Sequence, residues 1–300
     1  MKFRVMKKVH IFYNPLKPEA QQTATELNEI FKRNHITSKF AETEKSSEDW
    51  LEVDNDTDML IVLGGDGTFL KAAPQVLSRS IPILGVNFGH LGFLSEFGDM
   101  PMQELTNIIL NGDYIIEERS TLSAYIEDLN EYYYAINDIT LNRSHYTNLL
   151  HTDIYIGDDL LHSLRADGLI ISTPTGSTAY AISAGGAVMD PNISAFQIVP
   201  IAPHSLNSRP HVVSDSSIIK LESQDYMNFF LHADGRDLVE LKAKSRVIVK
   251  KSPYTLKLVK LNIKGRSFYS TLREKLQWGS LSPKIELCSD LKKGDNNNYD

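Results

Sequence analysis

Apolar residues in the first hundred positions follow two alternating patterns, short continuous runs and longer stretches with helical spacing. The runs, which have the length of strands buried on both faces, occupy residues 9–13, 59–63 and 81–86. The stretches with helical spacing occupy residues 19–34, 68–77 and 105–110. Pro74 predicts a kink or a break in the second helix, and Asn111 with Gly112 predicts the C-cap of the third. Strands and helices in alternation predict right-handed βαβ units and a parallel sheet.

The pattern changes after about residue 113, where short strand-like runs are separated by turns and few helical patterns lie between them. The runs are residues 114–116, 122–126, 132–136, 154–156, 169–172, 198–201, 218–221, 229–231, 247–249 and 256–259. The predicted fold class is therefore an α/β N-terminal domain with a Rossmann-like parallel sheet, followed by a larger, mostly β C-terminal domain.

These patterns also predict the domain boundaries. We expect the α/β domain at residues 1–113 and the β-rich, ligand-binding domain at residues 114–267. A helical pattern returns at residues 270–278, inside a C-terminal helix expected at about residues 268–285, which is a candidate to pack back on the first domain. The tail at residues 291–300 is polar and predicts disorder.

Composition narrows the class of protein. The chain has 300 residues, 42% of them hydrophobic, which is enough for a sizeable core. A net charge of −7 and a pI near 5.7 give no basic footprint for nucleic acid, and no basic amphipathic stripe favours a membrane surface. The single cysteine, Cys288, excludes an intramolecular disulfide and fits a reducing cytoplasm. Residues 9–13 are too short for a signal peptide, and no segment reaches the roughly 18 apolar residues of a membrane span.

A glycine-rich turn that contains an acidic residue follows the run at residues 59–63. It reads GGDGT, from Gly64 and Gly65 through Asp66 to Gly67 and Thr68. Because a turn between a strand and a helix start offers backbone N–H groups to phosphate, its three glycines and the threonine are predicted to bind phosphate. The spacing matches neither a Walker A loop nor a GxGxxG fingerprint. The alternative is an ordinary turn in which Asp66 or Thr68 caps the helix.

Two further stretches combine groups that suit a nucleotide. Asn137 and Asp138 follow a strand-like run, and an amide beside a carboxylate can bind the vicinal hydroxyls of a ribose, although the pair is also a common turn dipeptide. In residues 165–180, five hydroxyl side chains surround a proline and a glycine before a helical pattern at residues 179–187. Hydroxyls and free amides at a helix start suit phosphate or ribose oxygens, whereas a capped turn needs only one Ser or Thr.

Polar clusters at residues 204–210 and 232–236 stay unassigned, because such clusters between strands are most often solvated turns. No spacing of His, Asp or Glu is typical of a dedicated metal site, so no metal ligand is predicted in the protein. A metal would arrive as Mg²⁺ carried by the phosphates of a nucleotide.

Together these stretches resemble the NAD kinase family. The resemblance lies in GGDGT at 64–68, Asn137-Asp138, DGL at 167–169 and TPTGSTAY at 173–180, in that order, and extends to PHSL at 203–206, Arg209-Pro210 and residues 272–278. It covers about residues 7–280 and looks most like bacterial members. The GGDGT motif is shared with diacylglycerol and sphingosine kinases and loosely with phosphofructokinases, whereas the TPTGSTAY block is much more specific.

The resemblance implies a kinase, a phosphotransferase that acts on an alcohol acceptor. Its acceptor would be the 2′-hydroxyl of the adenosine ribose of NAD, and its product NADP. ATP, or inorganic polyphosphate in some members, would be the donor, with Mg²⁺ as the divalent metal and no tightly bound cofactor. The site would lie between the two domains of a homodimer or homotetramer, and a neighbouring subunit can contribute to it. The sequence leaves open the preference between ATP and polyphosphate and between NAD and NADH.

The resemblance also implies roles for individual residues. Asp66 matches the catalytic acidic residue, acts as the general base and contacts NAD, and Gly67 approaches the ligand beside it. Asn137 and Asp138 match the pair that holds NAD, whose second member is most often Glu, so that Asp138 is one methylene shorter. The other matching NAD-contacting positions are Arg165, Asp167, Thr178, Ala179, Tyr180, Ala181, Ile182 and Ser183, with Asn148 and Arg236 at positions where the residue type varies.

Two other functions share parts of this pattern. A lipid kinase would use the same glycine turn, but it would also need a route for an acyl chain. A non-catalytic dinucleotide sensor would bind NAD or NADP without consuming ATP, and the acidic residue inside the glycine turn argues against it.

Overall fold

The computed structural model of the protein describes residues 6–42, 52–88, 92–97, 101–143, 149–224, 228–262 and 266–277. The strands of these segments are β1 (Lys8–Tyr13), β2 (Thr37–Glu42), β3 (Met59–Leu63), β4 (Ile83–Asn87), β5 (Ser95–Phe97), β6 (Tyr114–Arg119), β7 (Leu122–Ile126), β8 (Glu131–Ala135), β9 (Asp138–Arg143), β10 (Leu150–Ile156), β11 (Asp159–Ala166), β12 (Gly168–Ser172), β13 (Ala195–Ile201), β14 (His211–Ser214), β15 (Ile219–Ser223), β16 (Phe229–Ala233), β17 (Arg236–Leu241), β18 (Arg246–Lys251) and β19 (Leu256–Leu261). The helices are α1 (Pro18–Arg33), α2 (Asp66–Ala72), α3 (Pro74–Leu77), α4 (Met102–Asn111), α5 (Tyr180–Ser183) and α6 (Phe268–Leu276), with a 3-10 helix at Thr175–Thr178.

The first sheet is covered by helices on both faces. Its strand order is β2-β1-β3-β4-β19-β6, with β5 beside β4, and strands β1 to β5 pair in parallel. Alternate residues of β3 belong to two cores: Met59, Ile61 and Leu63 pack with α1 and α4, whereas Leu60 and Val62 pack with α2 and α3. Because neither face meets water, β3 and β4 are buried along their whole length, which explains their continuous apolar runs.

The other two sheets are antiparallel and enclose a single apolar core. Their strand orders are β11-β10-β15-β18-β7-β8 and β14-β13-β12-β9-β16-β17. Side chains from both sheets, among them Leu122, Ile154, Leu169, Phe196 and Leu231, pack in one cluster of buried residues. This sandwich and the helix-covered sheet confirm the predicted fold class.

Most of the element predictions are confirmed. Each of the ten strand-like runs after residue 113 coincides with a strand, with only Ile136 and Ile218 outside one. Pro74 separates α2 from α3, and Gly112 is the left-handed C-cap of α4 with φ of 74°. The helix predicted at residues 179–187 is wrong in extent, because α5 ends at Ser183 and a left-handed Gly185 follows it. Some of the strands that were not predicted, β2 and β11 among them, carry polar, partly exposed residues at sheet edges, where no apolar run marks them. Strand β9 was not predicted either, although it is central in its sheet and mostly buried.

The first sheet also contains strands from beyond residue 113. Strand β6 continues the chain directly after α4, and β19 returns much later to pair with it from Leu256↔Arg119 to Leu261↔Tyr114. The domain boundary between residues 113 and 114 therefore stays a prediction. The first sheet includes two strands, β6 and β19, that lie after this boundary in the chain.

Residues 265–300 form a second compact unit, separate from residues 1–264. Its described part is α6, which begins with a capping box in which Ser267 and Ser270 bond each other's backbone N–H. The predicted packing of this helix on the first domain stays a prediction, and Trp278, Cys288 and the tail at 291–300 lie outside the described residues. Among the helices that the structure describes, none is both long and apolar enough to cross a bilayer.

Candidate active site

The glycine-rich turn connects β3 to α2, as the sequence predicts. Gly64 donates its N–H to the carbonyl of Val86 at 2.8 Å, which fixes the turn to the end of β4. A methyl group on Gly64 would lie 2.6 Å from Oγ1 of Thr68, so the buried threonine requires glycine there. Around Gly67, by contrast, nothing lies within 4 Å of such a methyl group, and this residue is exposed. The turn thus has a packed inner side and an open outer side.

Asp66 is the first residue of α2, and its half-buried carboxylate points to the segment at residues 92–95. Its Oδ2 accepts from the N–H of Phe93 at 2.9 Å, and its Oδ1 accepts from the N–H of Leu94 at 3.3 Å and the hydroxyl of Ser95 at 2.7 Å. The alternative in which Asp66 or Thr68 caps the helix is wrong, because Gly65 is the N-cap of α2 and no side chain makes a capping hydrogen bond. A carboxylate oxygen can accept two hydrogen bonds. Oδ2 accepts one from the described residues, so its second lone pair can still accept a hydrogen bond.

The turn that carries Asn137 and Asp138 is held by Asp234. The Asp234 carboxylate accepts from the backbone N–H groups of Ile136 at 3.0 Å, Asn137 at 2.7 Å and Asp138 at 3.3 Å. In return Asp234 donates its own N–H to the carbonyl of Asp138 at 3.0 Å, with a left-handed φ of 52°. Three donors from consecutive residues fix the backbone of this turn, so its two polar side chains have a defined direction.

The other side of this turn packs against the TPTGSTAY segment. Thr173 donates its hydroxyl to the carbonyl of Ile136 at 2.6 Å and its N–H to the carbonyl of Asn137 at 2.9 Å. A methyl group on Gly176 would lie 2.1 Å from the Asn137 carbonyl oxygen, so only glycine fits. Ser177 is also fully buried and donates to the carbonyl of Pro174 at 2.7 Å. The buried hydroxyls of Thr173 and Ser177 therefore bind backbone, and they are not among the positions predicted to contact NAD.

A cavity of about 470 Å³ opens beside the turn. Its wall consists of Leu70, Asn137, Asp138, Thr140, Asn142, Ala179, Tyr180, His232, Asp234 and Gly235. Leu70 lies one helical turn beyond Asp66 on α2, so the cavity wall begins about 6 Å along the helix from the catalytic candidate. The cavity has the size of a small-molecule site and brings together four of the predicted NAD-binding residues, Asn137, Asp138, Ala179 and Tyr180.

The cavity wall contains two acidic groups whose charged forms are disfavoured. Asp138 is only 4% exposed, and burial, followed by the charge of Asp234, raises its pKa from the ordinary 3.8 to about 7. Burial raises the pKa of Asp234 as well, against the backbone N–H groups that it accepts and the charge of Arg236. The hydroxyl of Thr140, which donates to Asp138 at 3.2 Å, acts in the opposite direction and favours the ionised Asp138. Strongly perturbed acids in a cavity mark a functional site.

The remaining predicted residues lie elsewhere. Arg165 is exposed on β11, and Asp167 pairs with Arg143 at 3.1 Å, so neither is part of the cavity wall. Ala181 is fully buried in a small apolar cluster with Ile170 and Val199, so its side chain is not available to a ligand. The other positions of this set have mixed exposure: Thr178 and Ile182 are half-buried, Ser183 is exposed, and Arg236 is half-buried with its Nε donating to the carbonyl of Ala233. Asn148 lies outside the described residues.

Asp234 is the functional residue that the sequence reading missed. It belongs to an Asp-Gly pair after a strand-like run, which is also the signature of a common turn, and both residues have positive φ. The signal that distinguishes it is its bonding to residues almost one hundred positions earlier, which only the folded chain shows.

The matches to known proteins agree with this arrangement. The family model of the ATP-NAD kinase N-terminal domain matches residues 9–114, and that of the ATP-NAD kinase C-terminal domain matches residues 136–261. An NAD kinase of Carboxydothermus hydrogenoformans is 39% identical over 233 residues, covering 75% of this chain and 82% of the relative. An NAD kinase of Flavobacterium johnsoniae is 34% identical over 279 residues, covering 92% and 93% of the two chains.

Solved structures show the same fold. A yeast NADH kinase in complex with NADH superposes with a TM-score of 0.81 at 25% identity, covering 94% of this chain and 91% of the yeast protein. An Archaeoglobus fulgidus NAD kinase in complex with ATP superposes with a TM-score of 0.72 at 24% identity, covering 89% and 98%.

A GGDGT turn on a parallel sheet, next to a β-sandwich with a cavity that several polar side chains line, defines a kinase of the GGDGT class. The N-terminal family model covers the GGDGT turn, and the C-terminal model covers the motifs of the sandwich. The chain belongs to the NAD kinase family and is thus an enzyme, a phosphotransferase.

Proposed function

We propose that the protein transfers the γ-phosphoryl group of ATP to the 2′-hydroxyl of the adenosine ribose of NAD, with Asp66 as the general base. The observation that carries the proposal is the position of Asp66 on α2, one turn before a cavity lined by Asn137 and Asp138. Relatives named NAD kinase and related structures with NADH and with ATP support the choice of both substrates.

Asp66 has the geometry of a carboxylate that orients a nucleophile. Three donors fix its two oxygens, which leaves the remaining lone pair of Oδ2 for the attacking hydroxyl. In the reaction the hydroxyl oxygen forms a bond to the γ-phosphorus, and the bond from that phosphorus to the β–γ bridging oxygen breaks. ADP leaves with the electron pair, and Asp66 accepts the hydroxyl proton late in the transfer.

Asn137 and Asp138 are proposed to hold the ribose of NAD. An amide both donates and accepts, while a carboxylate accepts, so the pair matches two vicinal hydroxyl groups. Asp234 and Gly176 fix the backbone of the turn, so the backbone that carries both side chains does not have to be ordered when NAD binds. The shorter Asp138 side chain, in place of the commoner Glu, reaches the hydroxyl directly or through one water.

The rest of the proposed assignment follows the family positions. Arg165 and Asp167 would contact NAD outside the cavity, with Asp167 on the nicotinamide amide. Ala179, Tyr180 and the exposed part of α5 would contact the adenine nucleotide, with Thr178, Ile182, Ser183 and Arg236 beside them. Gly64, Gly65, Gly67 and Thr68 would face the donor phosphates, with the open side at Gly67 towards the ligand.

Mg²⁺ is assigned to the donor rather than to the protein. Over the described segments, no three His, Cys, Asp or Glu side chains lie close enough to hold a metal ion. When bound, Mg²⁺ would neutralise charge on the phosphates. A cytoplasmic homodimer or homotetramer, in which a neighbouring subunit contributes to the site, remains part of the proposal.

The test is Asp66→Asn with NAD, MgATP and a coupled dehydrogenase that uses only NADP. We expect wild-type NADP formation, a loss of at least a thousandfold in the variant, and an unchanged Kd for NAD, because the amide keeps the size of the side chain but cannot accept the proton. The matched control is Asp58→Asn, whose carboxylate accepts two backbone N–H groups, from Lys7 and Lys8, at the opposite end of β3.

Three results would contradict parts of the proposal. Turnover within tenfold of wild type would exclude Asp66 as the base. Loss of NAD binding along with turnover would make it a ligand-holding residue first. Transfer of labelled phosphate to diacylglycerol rather than to NAD would favour a lipid kinase, and NAD binding without any ATP loss by the wild type would favour a sensor.

A further inference from the structure

Two turns of the first sheet meet where its strand order reverses. The chain leaves β1 through α1 to β2 on one side, and it leaves β3 through α2 and α3 to β4 on the other side. In open α/β sheets a crevice forms at such a point, beyond the carboxyl ends of the strands, and ligands bind there. The turn after β3 is the GGDGT turn, and the turn after β1 is residues 14–17.

Direct hydrogen bonds join the two turns. Asn14 donates its N–H to the carbonyl of Leu63 at 3.0 Å and its side-chain amide to Oγ1 of Thr68 at 3.4 Å. The same side chain accepts from the N–H of Leu16 at 2.9 Å, so it shapes its own turn as well. The position of Lys17, three residues later, is therefore set relative to the GGDGT turn.

The ammonium group of Lys17 lies across this crevice, at the end of β4. It donates to Oδ1 of Asn87 at 3.1 Å and to the carbonyl of Phe88 at 3.4 Å. The Asn87 side chain is itself next to Gly65, where a methyl group would lie 3.7 Å from its nitrogen. Lys17 is thus one side chain away from the glycine turn to which we assign the donor phosphates.

Lys17 differs in its partners from two other half-buried lysines, Lys8 and Lys260. Lys8 pairs with Asp54 at 2.6 Å, and Lys260 pairs with Glu96 at 3.1 Å. No carboxylate within the described segments lies in ion-pair reach of Lys17, whose two partners are neutral oxygens. An ammonium has three donors, so one N–H and the full charge remain for a ligand. An uncompensated, half-buried cation at a predicted phosphate site favours an anion.

We propose that Lys17 binds the phosphoanhydride chain of the phosphoryl donor, opposite Gly64 and Gly65. This inference rests on the proposed kinase function, since it names a further ligand for the donor of that reaction. ATP and inorganic polyphosphate share the chain, and a compact ammonium on a flexible stem suits either as a point charge.

The experiment compares Lys17→Gln with Lys17→Arg. Glutamine can still donate to Asn87 and Phe88 but lacks the charge, whereas arginine keeps the charge. The matched control is Lys32→Gln in the last turn of α1, where the lysine pairs with Glu29 on the surface. For each protein we would measure the KM values for MgATP and for NAD and the midpoint of urea unfolding. We would also measure two Kd values, one for the Mg²⁺ complex of a non-hydrolysable ATP analogue and one for tripolyphosphate.

We expect Lys17→Gln to raise KM for MgATP and the analogue Kd tenfold or more, because a charge-assisted hydrogen bond to phosphate is lost. KM for NAD, the urea midpoint and the control should change less than twofold, and Lys17→Arg should stay within fivefold of wild type. If only the analogue binds more weakly, Lys17 contacts the phosphates of a nucleotide donor. If tripolyphosphate also binds more weakly, Lys17 contacts the phosphoanhydride chain that ATP and polyphosphate share.

Donor binding by Lys17→Gln within twofold of wild type would overturn the inference. Equal losses in Lys17→Gln and Lys17→Arg would also overturn it, because a charge-independent effect means a structural role. Failure of the proposed function would give a different result from failure of this inference. The wild type would then form no NADP, and the binding of the analogue and of tripolyphosphate would still test the role of Lys17.

Discussion

Asp138→Asn should make the folded protein more stable, although it changes a proposed ligand-binding residue. The wild-type carboxyl is almost completely buried beside Asp234, and both burial and that neighbouring charge disfavour its ionised form. An asparagine has nearly the same shape, and it stays neutral at every pH. The variant therefore removes an unfavourable buried charge and opens no cavity.

The raised pKa gives the magnitude and the pH dependence. In the unfolded chain the group titrates near 3.8, and in the folded protein near 7, so the folded state is the one that retains the proton. Wild-type stability therefore falls as the pH rises from 3.8 to about 7 and is constant above it. At about 1.4 kcal/mol for each pH unit, the variant should gain roughly 1.5 kcal/mol at pH 5 and roughly 4 kcal/mol at pH 8.

The assay is urea unfolding followed by circular dichroism, at pH 5 and at pH 8, for wild type and variant. The control is Asp158→Asn, whose side chain is 98% exposed and whose pKa the hydrogen bond from Lys220 holds below the usual range. That carboxylate is ionised at both pH values, so its substitution should leave the difference between them unchanged. NAD binding by Asp138→Asn should meanwhile weaken about tenfold, as expected where function maintains a destabilised group.

A gain that is the same at both pH values would refute the reasoning, because a pH-independent effect cannot come from the titration of Asp138. A variant less stable than wild type at pH 8 would refute it as well, since the hydrogen bond from Thr140 would then outweigh the buried charge.

Two further predictions concern the support of the site. Gly176→Ala should destabilise the protein by about 3 kcal/mol, because its methyl group would collide with the Asn137 carbonyl. Gly67→Ala should keep the wild-type melting temperature and still lower turnover at least tenfold. Thermal melts and turnover assays check both variants, and an active Gly67→Ala would show that no ligand approaches this residue. Ser95→Ala should lower kcat about tenfold at unchanged KM for NAD, because the Asp66 carboxylate loses one of its three hydrogen-bond donors. Steady-state kinetics test this prediction. A change confined to KM would mean that Ser95 affects NAD binding rather than the orientation of Asp66.

The parts of the fold that the sequence predicts are those whose signal is local. β3 and β4 are covered on both faces, so their residues are non-polar up to Asn87 at the end of β4, and the runs stand out. The glycine turn between β3 and α2 follows from Gly64, Gly65 and Gly67 in the same way. Strand β2 pairs with β1, as β3 does, but it lies at the edge of the sheet, where a polar sequence forms the same backbone hydrogen bonds. No apolar pattern is needed there, and none is present.

The parts of the site that the sequence does not predict depend on contacts between distant segments. Asp234 acts on residues 136–138, and Lys17 acts at Asn87, and neither pair shares a local pattern. The hydroxyl block misleads for a related reason: Thr173 and Ser177 are needed to close a buried turn, and composition cannot distinguish that use from ligand binding. Residue type indicates hydrogen-bonding capacity, and only the fold shows how that capacity is used.

The pairing of β6 with β19 also has a consequence for the order of events during synthesis. The two strands are neighbours in the first sheet, yet the residues of both antiparallel sheets lie between them in the chain. While the chain is being translated, β1 to β4 can pair early, but β19 reaches β4 and β6 only after residue 261 has left the ribosome. Until then β5 covers only Gly85–Asn87 on that side of β4, and β6 lacks the partner strand that β19 provides; such edges can pair with another nascent chain. The sheet whose first strands are synthesised earliest is therefore completed only after both antiparallel sheets have been synthesised.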